Sequence, residues 1–436
     1  MIEVGMHTDQ YELTMLEAAR HSGLADQKTV FEVFSRSLRG YRYGVVAGTA
    51  RVIEVIQNFR FDDEDLRWLV ANGIIKMDTA KWLEKYEFHG RVSGYREGEI
   101  YFPYSPILTV EGTFAEAVLL ETTILSMLNF DTSVAGLASR IRQAAGADKT
   151  LIEMASRRVH EEAALSVARA AYLSGFDATS NLLAGKRYGI PTTGTAAHAF
   201  TMGHETEEQA FRAQIETLGQ NTTLLVDTYD IELGIEHAVT AAGFDLGAIR
   251  IDSGDLEEEA HRARRELDAM GCTSTKIVLS GDLDEFRIAS LVTGDTPAQI
   301  FGVGTRLVTG AMSPGMVYKL VAVDRNGTMI PVCKKSASKA TIGGLKTAFR
   351  TYRRGHIAQE WLSVGEKSDL GERLQVPMLE NGCALNPQSL DESREWLRGR
   401  LRTLPPEAFE LDNFTSLLEA KLFDQALPHD DLRVAA

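Results

Sequence analysis

The stretch Ile249-Arg250-Ile251-Asp252-Ser253-Gly254-Asp255 decides how the chain is read. A short apolar run over residues 247–251 stops at Asp252-Ser253-Gly254-Asp255, and a helical pattern starts at Leu256. That is a strand, a tight polar turn and a helix N-terminus. Such a junction gathers backbone N–H groups and the positive end of a helix dipole, which suits a phosphate or a ribose. Arg250 and Asp252 are two residues apart, so on a strand they share a face. A guanidinium grips phosphates, carboxylates or aromatic rings. A carboxylate can hold ribose hydroxyls or stabilise positive charge developing on a sugar carbon. Asp255 reads as the helix cap, which leaves Arg250 and Asp252 for chemistry.

Working outward, the same unit recurs. From about residue 151 to residue 303, short strands alternate with helices, and polar residues recur just after each strand. Arg157 and Arg158 follow residues 151–154; Ser180 and Asn181 follow 176–179; Thr195 ends the run 191–195, and His198 follows it. Gly281 and Asp282 follow 276–280, and Gly304 and Thr305 follow 300–303. Alternating βα units imply a parallel sheet. An open doubly wound sheet would concentrate chemistry at one switch point. A barrel presents every strand C-terminus on one rim. Chemistry-bearing residues follow almost every strand here, so an α/β fold with an irregular βα barrel over residues 136–330 is expected.

The flanks read differently. Residues 8–20 form a helix with a polar start, 30–35 a strand, and 45–48 a βα step into a helix over 49–58. Residues 91–94 and 100–102 suggest a hairpin, 107–111 a strand, and 116–129 an apolar helix. After residue 323 the alternation ends. Lys334, Lys335, Lys339 and Lys346 form a basic stretch around Gly343-Gly344, read as a solvated loop or a phosphate contact. Residues 360–373 look irregular, 390–402 helical, and a further helical segment is expected through 422. A disordered tail is expected at 428–436. Residues 1–135 are expected to form an N-terminal α/β domain, completed by 331–436 packing back on it.

Composition narrows the function classes. At 436 residues the chain is long enough for two or three domains. A net charge of −15 argues against nucleic acid or an anionic membrane as the main partner. An anionic small substrate is still possible, because a local arginine cluster can oppose the global charge. Cys272, Cys333 and Cys383 lie far apart and indicate neither a disulfide framework nor a zinc site. With no basic, apolar leader in residues 1–9 and no apolar run of spanning length, a cytoplasmic protein is expected. No Gly-x-x-x-x-Gly-Lys-[Ser/Thr] loop occurs, and Gly343-Gly344-Leu345-Lys346-Thr347 does not complete one.

Together the rim segments describe a pocket for a phosphorylated sugar. Asp252-Ser253-Gly254 and Gly281-Asp282 set carboxylates beside glycines, where a sugar can approach the backbone. Gly302-Val303-Gly304-Thr305 offers a nest of N–H groups and a hydroxyl for an anion. Arg157, Arg158 and Arg250 supply positive charge. These segments, with Thr8-Asp9-Gln10-Tyr11-Glu12-Leu13-Thr14-Met15, Gly175-Phe176-Asp177-Ala178-Thr179-Ser180-Asn181 and Gly189-Ile190-Pro191-Thr192-Thr193-Gly194-Thr195-Ala196-Ala197-His198, resemble the nicotinate phosphoribosyltransferase family in the same order. The likeness extends to about Leu404-Pro405-Pro406-Glu407, and Glu153-Met154-Ala155-Ser156-Arg157-Arg158 resembles the actinobacterial branch.

The resemblance implies a type II phosphoribosyltransferase fold, a homodimer with shared sites, and an ATP-dependent enzyme of the ligase class. In the implied reaction, nicotinate and 5-phosphoribosyl 1-pyrophosphate give nicotinate mononucleotide and pyrophosphate, in NAD salvage. ATP hydrolysis is coupled, and Mg²⁺ is held through the phosphates. By motif, the resemblance places Tyr11, beside Asp9, against the pyridine ring from the partner subunit. It places Thr195, Arg250, Ser180 and Asn181 near nicotinate, and Asp252 and Asp282 on the ribose. Gly302, Gly304 and Thr305 receive the phosphate, and His198 is phosphorylated. Many relatives have Phe-Gly where this chain has Met154-Ala155, so the second face of the ring sandwich would be a thioether. A nicotinamide- or quinolinate-using relative, and a non-catalytic sensor of NAD metabolites, are the alternatives. Quinolinate would call for added basic residues beside Asn181, and a sensor would not need His198, Asp252 and Asp282 intact.

Overall fold

The structure is a computed structural model that describes residues 4–335, 341–365 and 370–423. Lys339 and the expected tail at 428–436 lie outside the described residues. The chain divides into two compact units, Met1–Ser133 with Ser313–Ala436, and Val134–Met312.

The first unit is built on an antiparallel sheet of seven strands. Their order is Thr328–Pro331, Val317–Arg325, Lys28–Phe34, Leu108–Thr113, Arg91–Tyr95, Gln375–Glu380 and Cys383–Ala384. Lys28–Phe34 is buried from its second residue onward, as a central strand covered on both faces must be. A second sheet orders Glu372–Arg373, Lys346–Arg353, His356–Val364 and Lys421–Leu422. N- and C-terminal segments thus share one sheet: Val317–Arg325 and Gln375–Glu380 pair with Lys28–Phe34 and Arg91–Tyr95.

Several expectations change here. The barrel segment was expected to run to residue 330, but the division falls after Met312, because Val317–Arg325 pairs with Lys28–Phe34. The expected hairpin at 91–102 is absent: Arg91–Tyr95 pairs with Leu108–Thr113, while Ile100–Tyr101 pairs with Gly44–Val45. Glu99, between them, points inward and meets Arg350 and Arg400. Residues 360–373 are not irregular throughout, since His356–Val364 is a full strand against Lys346–Arg353. The segment after Leu404 holds a short 3₁₀ turn, Pro406–Phe409, and a strand, Lys421–Leu422, instead of a helix. The apolar helix expected to end at 129 runs over Glu121–Ala145.

The second unit holds six parallel strands in the order Ala178–Thr179, Thr150–Glu153, Ile300–Val303, Lys276–Leu279, Ala248–Ile251 and Thr223–Leu225. The first and last strands of the run in sequence, Thr150–Glu153 and Ile300–Val303, are neighbours. The sheet curls around the cavity into an incomplete ring, a half-barrel of βα units. Among the described residues the ring is open between Ala178–Thr179 and Thr223–Leu225, and Thr179 bridges to Thr192 beside the opening. Four of the six strands hand over to a helix with an Asn or Asp cap: Asn181 before Leu182–Tyr188, Asp230 before Ile231–Ala242, Asp255 before Leu256–Ala269 and Asp284 before Glu285–Thr293. These caps fix four of the turns between strand and helix, which lie at the C-terminal ends of the parallel strands.

Candidate active site

The ring encloses a cavity of about 420 Å³. Its floor is apolar, with Ile152, Leu225, Val278 and Ile300 pointing inward from four strands. The alternation of a strand then sets Arg250 and Asp252 on the same inner face, one layer apart. Arg250 Nη2 donates to Asp252 Oδ1 at 2.9 Å, and Arg250 Nε donates to Ser280 Oγ at 2.8 Å. Ser280, almost wholly buried, donates its own hydroxyl hydrogen bond to Asp252 Oδ1. The three side chains close a triangle that holds Asp252 Oδ1 and leaves Oδ2 for a ligand. Gly281 makes this approach possible: its φ is +103°, and a Cβ there would lie 2.4 Å from the Asp252 carbonyl oxygen.

Asp227 is the residue that reading the sequence missed. Its side chain is 1% exposed. Oδ2 accepts from Asp252 N at 2.9 Å and from Ser253 Oγ at 2.6 Å, which fastens the turn after Asp252. Oδ1 has no hydrogen-bond partner among the described residues and lies 4.0 Å from His198 Nε2. The other ring nitrogen, Nδ1, is 3.1 Å from Thr228 Oγ1. A signal was present in the sequence. Asp227 and Asp230 repeat the spacing of Asp252 and Asp255, with the first carboxylate facing the site and the second capping the helix. Asp255 acts as a cap, accepting from Glu257 N and Glu258 N and facing Arg287, and these partners hold its carboxyl below the usual range.

Of the expected site residues, the cavity gathers His198, Asp252, Arg250, Arg157, Ser180 and Thr195. Ser253, Gly254, Gly281 and Asp282 lie on the adjoining turns. Gly254 has φ +83°, and Asp282, exposed, has φ +48°. Gly302 lies beneath Met154, whose sulfur would be 2.8 Å from a Cβ at that position; Gly304 lies against the Met154 carbonyl, and Thr305 begins the turn after it. Met154 itself lines the cavity. Arg158 is exposed beside Arg157 and outside the cavity wall. Asn181 also leaves the wall, because its amide is committed to Ala184 N and Ser156 Oγ. Glu153 is buried, and burial raises its pKa against the pull of the Thr179 hydroxyl and the Ala155 amide. It braces the neighbouring strand ends.

Asp9 and Tyr11 belong to the first unit. Asp9 Oδ2 accepts from Thr122 Oγ1 at 3.1 Å. Tyr11 is 45% exposed, and its hydroxyl pKa is pushed up to about 12 by partial burial and by Glu121, Glu12 and Asp9. Of the basic stretch, Lys346 is buried in an ion pair with Glu32 at 2.7 Å, so it is structural; Lys334 and Lys335 are exposed. No group of three or more metal-ligating side chains occurs among the described residues. No helix among them is long and apolar enough to cross a membrane.

A parallel ring with carboxylates, an arginine and a histidine converging at the strand C-termini defines a βα-barrel enzyme of the type II phosphoribosyltransferase kind. The chain matches the model of the nicotinate phosphoribosyltransferase N-terminal domain over residues 6–129 and that of the nicotinate phosphoribosyltransferase family over residues 150–365. A Mycobacterium tuberculosis nicotinate phosphoribosyltransferase, pncB1, is 49% identical over 423 residues, covering 93% of this chain and 92% of that protein. A Bacillus subtilis nicotinate phosphoribosyltransferase is 38% identical over 359 residues, covering 80% and 73%. The crystal structure of human nicotinic acid phosphoribosyltransferase has a TM-score of 0.84 at 26% identity, covering 95% of this chain and 97% of that one. The chain belongs to the nicotinate phosphoribosyltransferase family.

Proposed function

We propose that this chain joins nicotinate to 5-phosphoribosyl 1-pyrophosphate, giving nicotinate mononucleotide and pyrophosphate in the cytoplasm, with ATP hydrolysis coupled. Family membership supports the reaction, and the convergence of Arg250, Asp252 and His198 on one cavity, with Asp227 bonded behind Asp252, carries it. The pyridine nitrogen attacks ribose C1 with its lone pair while the C1–O bond to pyrophosphate breaks, and that electron pair leaves with pyrophosphate. No proton moves, so no general base is required. Asp252 Oδ2 faces the ribose, where positive charge develops, and Arg157 and Arg250 oppose the anionic groups.

The cavity suits Mg²⁺ brought in with phosphates. The carboxylates Asp252 and Asp227 are hard oxygen donors, and no cluster of three or more protein ligands competes among the described residues. Asp252 would hold the ion, which supplies charge neutralisation to the leaving pyrophosphate. His198 is proposed as the residue phosphorylated by ATP. Asp227 lies 4.0 Å from Nε2 and Thr228 Oγ1 lies 3.1 Å from Nδ1, so both ring nitrogens are oriented by the chain, and a neutral imidazole offers one of them as the nucleophile. A homodimer in which Tyr11 serves the partner's site completes the proposal.

Nicotinate, 5-phosphoribosyl 1-pyrophosphate and ATP incubated with the protein should yield a mononucleotide detected by mass; no product refutes the reading. His198→Ala should lose acid-labile label from γ-labelled ATP and retain slow ATP-independent transfer. Mixing Tyr11 and Asp252 variants should restore part of the activity in mixed dimers. No recovery in dimers shown to be mixed would return Tyr11 to its own subunit's site.

A further inference from the structure

The amide of Asn181 does not face the cavity, and where it goes points to another residue. Helix Leu182–Tyr188 starts at Asn181, and the backbone N–H of Ala184 reaches Asn181 Oδ1 at 2.9 Å. Only the amide oxygen can accept that bond, so the side chain has one permitted orientation. Its NH₂ therefore faces Ser156, and Nδ2 donates to Ser156 Oγ at 3.0 Å. The turn beneath is fixed as well: Asn181 N donates to Thr179 Oγ1 at 2.9 Å, and that hydroxyl donates to buried Glu153.

Ser156 is half-buried and lines the cavity. Its oxygen already accepts from Asn181, and no acceptor among the described residues takes its proton. The hydroxyls of Ser180, Thr193 and Thr195 on the same wall can donate or accept. The bond from Asn181 takes one of the two lone pairs of Ser156 Oγ from behind and leaves its proton to be donated. We propose that Ser156 is a specificity-determining residue, held by Asn181 as a donor into the cavity, and that it takes the carboxylate of a pyridine carboxylate in preference to a carboxamide. The proposal rests on the nicotinate reading of the site. A carboxylate offers only acceptors; a carboxamide turns an N–H toward this donor in one of its two orientations.

The test compares kcat/KM for nicotinate and nicotinamide, with 5-phosphoribosyl 1-pyrophosphate and ATP present. A hydrogen bond to a charged group corresponds to about 10- to 100-fold. Ser156→Ala should raise KM for nicotinate by that factor, leave KM for 5-phosphoribosyl 1-pyrophosphate unchanged, and lower the preference for nicotinate by the same factor. Asn181→Asp separates positioning from structure. Aspartate caps a helix as well as asparagine does, so a purely structural Asn181 tolerates the change. A carboxylate at 181 would instead accept the Ser156 proton and turn it from the cavity, so Asn181→Asp should reproduce the fall in preference. Asn181→Ser, which keeps a cap but neither donates to nor attracts Ser156, should give a smaller fall. An unchanged preference in Ser156→Ala, or in Asn181→Asp, overturns the proposal. A wild-type protein that forms no mononucleotide from nicotinate refutes the functional reading itself, and with it this one.

Discussion

Two sets of charged groups in this molecule are built to opposite ends. In the first unit, Arg350 is fully buried. It gives Nη1 to Glu99, and gives Nη2 to Glu360 at 2.9 Å and to the Ile100 carbonyl at 2.6 Å. Glu99 also accepts from Arg400 Nε at 2.8 Å and Trp396 Nε1 at 2.9 Å, and Glu360 accepts from Tyr95 at 2.6 Å. Burial alone would lower the Arg350 pKa, but Glu99 and Glu360 outweigh it and hold the guanidinium charged. In the second unit, Asp227 keeps Oδ2 within a network while its buried Oδ1 has no hydrogen-bond partner among the described residues, and Asp252, partly exposed, is held through Oδ1. Carboxylates bonded through both oxygens by their own chain, as Glu99 and Glu360 are, build architecture. On the proposed reading, the carboxylates left half-paired at the ends of parallel strands serve a ligand; the buried Asp227 oxygen is costly to leave without a partner.

The largest expected effect breaks the saturated set. Arg350→Ala leaves two buried carboxylates without their shared cation and should cost about 3–5 kcal/mol of unfolding free energy. Denaturant titration measures it; a loss under 1 kcal/mol would mean that Arg400 alone suffices. The half-saturated set should respond in rate, not stability. Asp252→Asn should lower kcat by about 10²- to 10³-fold with little change in denaturation midpoint. Near-wild-type turnover would remove Asp252 from the reaction.

A smaller effect joins backbone to site. Gly281→Ala puts a Cβ against the Asp252 carbonyl oxygen at a φ of +103°. Such strain costs about 1–3 kcal/mol, and displacing Asp252 should slow turnover by about tenfold. Paired kinetic and unfolding measurements would show whether both fall together, and unchanged kcat would mean that the turn yields without moving the carboxylate.

The smallest effect is a pH dependence. Glu12, buried in the first unit, accepts only from neutral donors, Thr8 Oγ1 and the hydroxyl and amide of Thr122. Burial raises its pKa from 4.5 to about 7 against those bonds, with Glu121 adding a push in the same direction. The folded state therefore holds this proton more tightly than the unfolded chain. The stabilisation is complete below pH 4.5 and is lost as pH rises through 7. Unfolding free energies of wild type, relative to Glu12→Gln, should fall across that interval and then level off. A difference independent of pH would show that Glu12 does not titrate there.

Local patterns made much of this legible. Strand and helix periods, and caps such as Asp255, depend on neighbours within a turn or two, so the βα alternation and the shared face of Arg250 and Asp252 could be read directly. The order of motifs carried the family. Strand partners lie far along the chain, so the sequence did not show that residues 91–95 and 100–101 enter different sheets, or that the strand after Met312 returns to Lys28–Phe34.

Side-chain commitments were equally hidden. Lys346 could be counted as a basic residue, but only its burial against Glu32 made it structural. Asn181 could be recognised as an amide after a strand, but the Ala184 N–H and Ser156, on different segments, decided which way it faces. Asp227 repeated a spacing that the sequence contained, yet its role depends on Asp252, Ser253 and His198 meeting around one carboxylate. The sequence by itself determined which groups this protein carries at the ends of its strands, because that pattern is local. Only the tertiary structure decided which of those groups are already paired and which remain open to a ligand, because each pairing joins atoms that the chain brings together from a distance.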